Sequence, residues 1–544
     1  MKIVLVGINS KYIHPNLAIR YLKANSSYLV NLLEYTIKDH PDTMISDIVN
    51  ETPEIIAFSV YIWNIEIIKN LLIKIRKLIP EAKIILGGPE VSYEYEEFFH
   101  NDITDFIITN EGELTFNLLL EALDKKLPLN KIPNLVYKDN NSIKTNTIKN
   151  IENLDKLKLP YYFQNDFEAI TNKVQYVELS RGCPYNCSYC LASLEKGLRF
   201  FSIDRVKRTV DFLISKGAKT IKFLDRSFNA NHKLAKEFLN YIISRDYKAT
   251  TFQFEINGDI LKEDFIDFLI EKAPKGLIRF ELGVQSTNDL VNKEINRYQD
   301  TNKLIKTIKR LNKSNVTLHL DLIAGLPYED LASFKNTFNT IYQLFSDELQ
   351  LGFLKLLKGT SLYYSTSKHK IKFQDIAPYE IIESKYITKD ELKTIHKVET
   401  MLNIYWNKGF MNESIFHLTQ NIDAFEFYKD IYDFYQKNNY SHFRYGFVDL
   451  FINLIEYLKS KNIFNDTIND ILKYDYLIHH NIKPKIYWNE FINKNDIIRS
   501  FHKENQHLNI DKLYKYAFVT KYLDSYLIIL YLPNKKEIYR FKKS

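Results

Sequence analysis

Three cysteines fall within eight residues, and the 544-residue chain has no others: Cys183, Cys187 and Cys190, with three residues and then two between them. The stretch reads Arg181-Gly182-Cys183-Pro184-Tyr185-Asn186-Cys187-Ser188-Tyr189-Cys190. Tetrahedral zinc normally takes four protein ligands from two separated pairs, which this spacing does not supply. A disulfide framework suits neither an odd number nor such tight spacing. A cubane iron–sulfur cluster held through three irons does fit, with the fourth iron left open to a small molecule. The plain alternative is three unpaired thiols brought together by chance.

Such a loop needs a scaffold, and the stretch before it reads as one. Lys2–Gly7, Leu29–Tyr35, Glu54–Val60, Lys83–Gly87 and Asp105–Thr109 are short apolar runs. Helical patterns separate them, such as Ile65 to Leu78 with Ile67, Ile68, Leu71, Leu72 and Ile75 on one side. Strands alternating with helices predict an α/β fold with a doubly wound parallel sheet over residues 1 to about 130. Ligands of such sheets sit outside the carboxyl ends of the strands. The residues there are Asn9-Ser10-Lys11, Ser59-Val60-Tyr61, Gly87-Gly88-Pro89-Glu90 and Asn110-Glu111-Gly112-Glu113. No G-x-G-x-x-G follows the first strand, so a dinucleotide is not the expected ligand. Glycines serving only as turns are the bland reading.

Residues 131–175 read as a connector. Leu135–Lys138 and Ser142–Lys144 flank Asp139-Asn140-Asn141 as a hairpin, and Lys156 to Tyr162 is an extended link. From Tyr176 the alternation resumes. Strands are expected at 176–180, 220–224, 250–256, 278–284, 316–322 and 349–356, with helices between them, as a partial (β/α)6 barrel over residues 176–365. Its strand ends carry Asp225 and Arg226, Glu255, Glu281, Gln285 and Ser286, with Arg297 and Gly325 close behind. Carboxylates in apolar runs need partners, and an internal salt bridge is the plain alternative for Glu255 and Glu281.

Thirteen of the 15 glycines precede residue 360, which sets residues 366–544 apart as a mostly helical domain. Thr388-x-x-Glu391 is a capping box, and 526–541 can close the chain as a hairpin broken at Pro533-Asn534. The longest apolar run, 526–532, is too short to cross a bilayer, so no membrane is expected. The N-terminus lacks the long apolar region of a signal peptide, which predicts the cytoplasm, where thiolates stay reduced. A net charge of +7 with lysines and acids interleaved describes solvated helix faces. With no arginine-rich run or RNA-module signature, nucleic acid is not an expected partner.

The cysteine loop, with an aromatic residue just before its last cysteine, resembles that of the radical S-adenosylmethionine (SAM) enzymes. The glycine-edged sheet ahead of it resembles the cobalamin-binding domain of the cobalamin-dependent members. The resemblance covers roughly residues 1 to 365. It implies a [4Fe-4S] cluster on Cys183, Cys187 and Cys190, whose open iron chelates SAM, and an electron from the cluster that cleaves SAM to a 5′-deoxyadenosyl radical. It further implies SAM contacts at Tyr189, Asp225, Arg226, Glu255, Glu281, Gln285, Ser286, Arg297 and Gly325. Tyr189 would lie beside the adenine, Asp225 would receive the methionine amino group, and Gly325 would leave room for adenine. Cobalamin contacts are implied at Asn9, Ser10, Lys11, Ser59, Val60, Gly87, Gly88, Pro89, Glu90, Glu111, Gly112 and Glu113. The loop after the first strand lacks the Asp-x-His-x-x-Gly of cobalamin mutases, and His14 reads as a surface or capping histidine. The helical extension is expected to shape access to the barrel.

With no cysteine left over, a second cluster and its chemistry are excluded. One cluster, SAM and cobalamin suit methylation of an unactivated carbon or phosphorus, with an electron donor such as flavodoxin or ferredoxin. Cobalamin-dependent rearrangement or ring chemistry is the second reading. A corrinoid-binding or redox-sensing protein without turnover is the third.

Overall fold

The computed structural model describes all residues except 141, 162, 164–166, 246, 248, 485–491, 534, 543 and 544. Strands that are apolar on both faces must be covered on both, and the N-terminal runs show it. β1 (Ile3–Asn9) and β3 (Ile55–Ser59) are buried at every position. They pair in parallel with β2 (Val30–Thr36), β4 (Lys83–Gly87) and β5 (Phe106–Ile108) in the order β2-β1-β3-β4-β5. Ile48, Leu71 and Leu72 pack on one face, and Ile19, Phe116 and Leu119 on the other. The order is that of flavodoxin-like sheets, which places the ligand edge at the β1/β3 switch point.

The hairpin lies where it was expected but is no free connector. β6 (Leu135–Asp139) pairs antiparallel with β5, and β7 (Ser142–Thr145) with β6, so the sheet has seven strands. Asn141 at its tip and Tyr162 at the end of the expected link lie outside the described residues.

β8 (Gln175–Val177) then leads into β9 (Ser180–Arg181), which pairs antiparallel with β10 (Arg199–Phe200) beyond the cysteines. β11 (Thr220–Phe223), β12 (Thr251–Ile256), β13 (Ile278–Gln285), β14 (Thr317–Ala324) and β15 (Glu348–Phe353) complete a six-stranded sheet in the order β15-β14-β13-β12-β11-β8. On β12, β13 and β14 buried residues alternate with half-buried ones. The half-buried set is mostly polar, with Gln253 and Glu255, Arg279 and Glu281, His319 and Asp321, and Ile323 its apolar exception. A closed barrel of this kind fills its interior with branched apolar side chains. Here the inner face is mostly polar.

The first sheet and the barrel are fastened by loops as well. Tyr379 donates to Glu90 at 2.8 Å, Tyr364 to Glu94 at 3.0 Å, and Lys358 to Glu97 at 3.2 Å. Tyr93 packs its ring on Gly359.

Contacts divide the chain into two units that interleave: Met1–Thr337 with Leu351–Leu392, and Phe338–Gln350 with Lys393–Ser544. The boundary is therefore not a single point near 366. In the second unit Tyr342 bonds Tyr428 at 2.8 Å and Thr419 at 3.0 Å, and Trp406 donates to the Ser346 carbonyl at 3.0 Å. Among the described residues, six helices from Asn412–Thr419 to Ile510–Tyr516 follow. The expected final hairpin is part of a three-stranded sheet of β18 (Ala517–Tyr522), β19 (Ser525–Leu532) and β20 (Lys535–Phe541), reached after short pairs at β16 (Lys372–Phe373) and β17 (Ile381–Glu383). Asn534, in its expected turn, lies outside the described residues. The capping box forms, with Thr388 N–H donating to Glu391 at 2.8 Å.

One buried acid in this unit gives a pH dependence. Asp475 accepts from the Ser414 N–H at 2.8 Å and its hydroxyl at 2.6 Å, and burial pushes its carboxyl from 3.8 up to about 7. A raised acid favours the fold while it is protonated, so its contribution is full below pH 4 and is lost as pH rises through 7. Between pH 5 and 8 the unfolding free energy of this unit, read from denaturant melts, is expected to fall by about 3 kcal/mol. Asp475→Asn, which keeps an oxygen for Ser414, is expected to flatten that slope.

Candidate active site

The cysteine loop is set by what surrounds it. Leu179 N–H and the Ser180 hydroxyl donate to the Asp225 carboxylate at 2.9 and 2.5 Å, joining the end of β8 to the end of β11. Asp225 is 1% exposed, and burial pushes its carboxyl up to about 7. Both oxygens accept a bond from within the protein, so Asp225 sets the loop. After Gly182, Cys183 pairs with Lys196, and Ser188 N–H reaches the Ile295 carbonyl at 2.9 Å.

Burial pushes the Cys183 and Cys187 thiols up, and each feels the charge of the neighbouring cysteines. Among the described residues no three His, Cys, Asp or Glu side chains converge on one ion. In a multi-iron cluster each ligated iron takes one thiolate, so three neighbouring cysteines suit one. Arg297 opposes the burial of Cys187, its Nη1 lying 4.0 Å from the sulfur. Its Nε donates to Gln299 at 3.0 Å and its Nη2 to the Gly283 carbonyl. Tyr189, its hydroxyl pushed up by burial, sits beside Arg297 and Cys187. Arg297 thus lies as a counter-ion beside the cysteine loop.

The remaining barrel residues divide. Glu281 takes Lys222 at 2.7 and 3.1 Å, which is the internal salt bridge. Ser286, fully buried, donates to Glu329 at 2.5 Å, and burial pushes the Glu329 carboxyl up to about 8. Gln285 has φ +66°, and its Oε1 is buried without a partner. At Gly325 the direction a side chain would take is filled by Ile381 and Leu392. Glu255 has no hydrogen bond or ion pair among the described residues; burial pushes it up while Arg226 and Lys222 pull it down. Arg226 is exposed. Not anticipated from the sequence was the chain from Arg279 Nη2 to His319 Nδ1 at 2.5 Å and from His319 Nε2 to Asp321 at 3.0 Å.

A cavity of about 670 Å³ opens between the ligand edge of the first sheet and the strands that carry the cysteine loop. Ser59, Gly87, Gly88, Pro89, Glu111, Gly112 and Glu113 line one side, and Ser180, Arg181, Gly182 and Arg226 the other. Tyr61 and Tyr93 also face it. Gly88 has φ +121°, and a Cβ there would lie 3.0 Å from the Val60 nitrogen and closer to its carbonyl oxygen. Gly88 is thus required by its packing on Val60, and the cavity it lines, with mixed apolar and polar walls, has the size and character of a cofactor site.

Five of the expected corrin contacts do not line this cavity. Asn9 donates to Glu34 at 2.9 Å, and Val60 N–H is bonded to the Gly87 carbonyl at 2.7 Å. Ser10 and Lys11 lie outside the lining, and Glu90 is buried against Tyr379. His14 is half-buried and bonds the Tyr176 hydroxyl at 2.7 Å, its ring stacked near that of Tyr176.

Glu111 and Glu113 line the cavity, yet their carboxylates turn to arginines. Arg181 reaches Glu111 at 3.1 Å, Glu113 at 2.7 Å and Glu178 at 3.0 Å. Arg199 reaches Glu111 at 2.8 Å and also pairs with Glu195. Burial disfavours ionised Glu111, but the bonds from Arg199 and from Ile151 N–H outweigh it and hold the carboxyl below its ordinary value. The only local signal for this network was an arginine directly before Gly182-Cys183.

Comparisons with known proteins give three family matches along the chain. A B12 binding domain model matches residues 3–120 and a Radical SAM superfamily model residues 177–341. A model described as a protein of unknown function (DUF4080) matches 367–523. An uncharacterized methyltransferase of Pyrococcus horikoshii is 25% identical over 63% of this chain and 77% of its own length. The anaerobic magnesium-protoporphyrin IX monomethyl ester cyclase of a Synechocystis strain is 25% identical over 46% of this chain; the match spans about half of that relative, 51%. The cobalamin-dependent SAM radical enzyme OxsB, solved with aqua-cobalamin and SAM bound, shares the fold at 14% identity, with TM-score 0.61 over 87% of this chain and 84% of that one. Among the described residues no helix is long and apolar enough to cross a membrane.

Proposed function

The chain belongs to the B12-binding radical SAM enzymes, and from that premise we propose that it methylates an unactivated carbon or phosphorus centre of a substrate. The observation that carries this reading is the shared cavity, which has the glycine edge of the first sheet on one wall and the root of the cysteine loop on the other. The similarity to the P. horikoshii methyltransferase supports it. When bound, the cluster supplies the electron that splits SAM, and cobalamin supplies a methyl group.

The residues of the chain have their own tasks. Cys183, Cys187 and Cys190 hold the cluster as thiolates, and Arg297 offsets the cost of burying the Cys187 charge. Asp225 fixes the strand end from which the loop departs. Gly87, Gly88 and Gly112 give a corrin a floor of bare backbone, and Tyr61 and Tyr93 keep water from its edge. Arg226, exposed on the cavity wall, offers its guanidinium to a carboxylate of SAM, and Glu255 its carboxylate to a ribose or ammonium. A low-potential donor such as flavodoxin or ferredoxin supplies electrons, in a reducing cytoplasm.

The test needs no substrate. Anaerobically reconstituted protein is given SAM labelled in its methyl group with deuterium, and the corrin it holds is analysed by mass spectrometry. Labelled methyl on the corrin is expected. Release of 5′-deoxyadenosine under reduction with an unlabelled corrin would favour the second reading, ring or rearrangement chemistry, to which the similarity to the cyclase points. Neither product would leave a corrinoid-binding protein without turnover.

A further inference from the structure

Arg181 and Arg199 stand directly opposite each other in the two-stranded β9–β10 ladder. They grasp the two oxygens of one carboxylate, Glu111, with Arg181 on Oε1 at 3.1 Å and Arg199 on Oε2 at 2.8 Å. Arg181 also holds Glu113 at 2.7 Å and Glu178 at 3.0 Å, so one planar guanidinium serves three carboxylates. The side chains of Glu111, Glu113, Glu178 and Arg181 are only 7 to 13% exposed, which strengthens each pairing over its value in water. Glu111 and Glu113 flank Gly112 on the first-sheet wall of the cavity, whereas Arg181 is two residues from Cys183.

From this geometry we infer that Arg181 is a positioning residue that couples occupancy of the corrin cavity to the conformation of the cysteine loop. The inference rests on the proposed pairing of corrin and cluster. A ligand filling the cavity presses on the 111–113 loop. The guanidinium carries that displacement to β9, and only Gly182 separates β9 from Cys183. Gly182 has no slack to absorb it, because its α-carbon packs on the Gly197 carbonyl. By linkage, whatever factor the cluster adds to corrin affinity, the corrin adds to cluster affinity.

The experiment is an anaerobic titration of the full chain with hydroxocobalamin, with and without reconstituted cluster. Wild type is expected to bind the corrin at least about fivefold more tightly when the cluster is present. Glu113→Gln removes one tie to the first sheet and leaves Arg181 paired with Glu111 and Glu178, so the fold is kept. Arg181→Lys removes the fork but keeps the charge. In both, the ratio is expected to fall to within about twofold while iron content stays at the wild-type level, a change that a merely structural pair would not produce. The same ratio in wild type and both variants would overturn the coupling, as would corrin uptake indifferent to the cluster in wild type. No uptake by wild type would sink the corrin assignment itself, and the coupling with it.

Discussion

Cys187→Ser, reconstituted anaerobically, is expected to hold no cluster and to release no 5′-deoxyadenosine. The chain has three cysteines, and all three lie in one loop, so no other thiol can replace the missing one. A serine hydroxyl ionises far less readily than a thiol, and the buried setting penalises its charged form further. The loss also leaves the Arg297 guanidinium, now beside a neutral hydroxyl, without the thiolate that justified its position. Iron should fall from about four per chain to background. SAM cleavage should fall by at least about 10³-fold, which corresponds to about 4 kcal/mol of barrier. Wild-type iron content in this variant would refute the three-cysteine assignment.

The second large effect is expected at a residue that ligates nothing. Gly182 has φ +87°, and a Cβ there would run into the Gly197 carbonyl oxygen. Both partners are backbone, so no side chain can swing aside. Gly182→Ala must therefore part β9 from β10 and move Cys183, at a cost of at least about 3 kcal/mol. Gly197 provides the control. Its φ is also positive, at +83°, but nothing lies within 4 Å of its Cβ direction. Gly197→Ala should cost only about 1 kcal/mol and keep the cluster. Thermal unfolding with iron determination separates the two. Equal behaviour would mean that the close approach at Gly182 does not hold the loop.

Features fixed by local pattern were legible in the sequence. The five apolar runs before residue 110 and the six after 175 became strands where expected, because period and length are properties of neighbours in the chain. The cysteine spacing and the Gly87-Gly88 pair were legible for the same reason. Partner choice was not. Glu111 and Glu113 read as corrin contacts, but their carboxylates face Arg181, about 70 residues on, and no local signal tells a carboxylate which cation it will meet. Asp225 and Glu281 were picked as charged groups on barrel strands and Arg297 as one after a helical turn, and each has protein partners. β6 and β7 were seen as a hairpin but not as sheet extensions, since the edge they join lies in β5. β18 was missed because Ala517–Tyr522 follows a seven-residue helix with no turn residue to mark the change.

The interleaved boundary has a consequence for how this protein can be divided or inherited. The peptide crosses between the two units three times, after Thr337, after Gln350 and after Leu392. A cut at 337 takes β15 from the barrel sheet along with everything after it. A cut at 392 leaves Tyr342 and Ser346 behind without Tyr428 and Trp406, the groups that bury and bond them. No single scission yields two intact pieces. Exchange of the helical unit between proteins at one junction is therefore expected to break the core of one piece, and a transplant needs both segments of that unit.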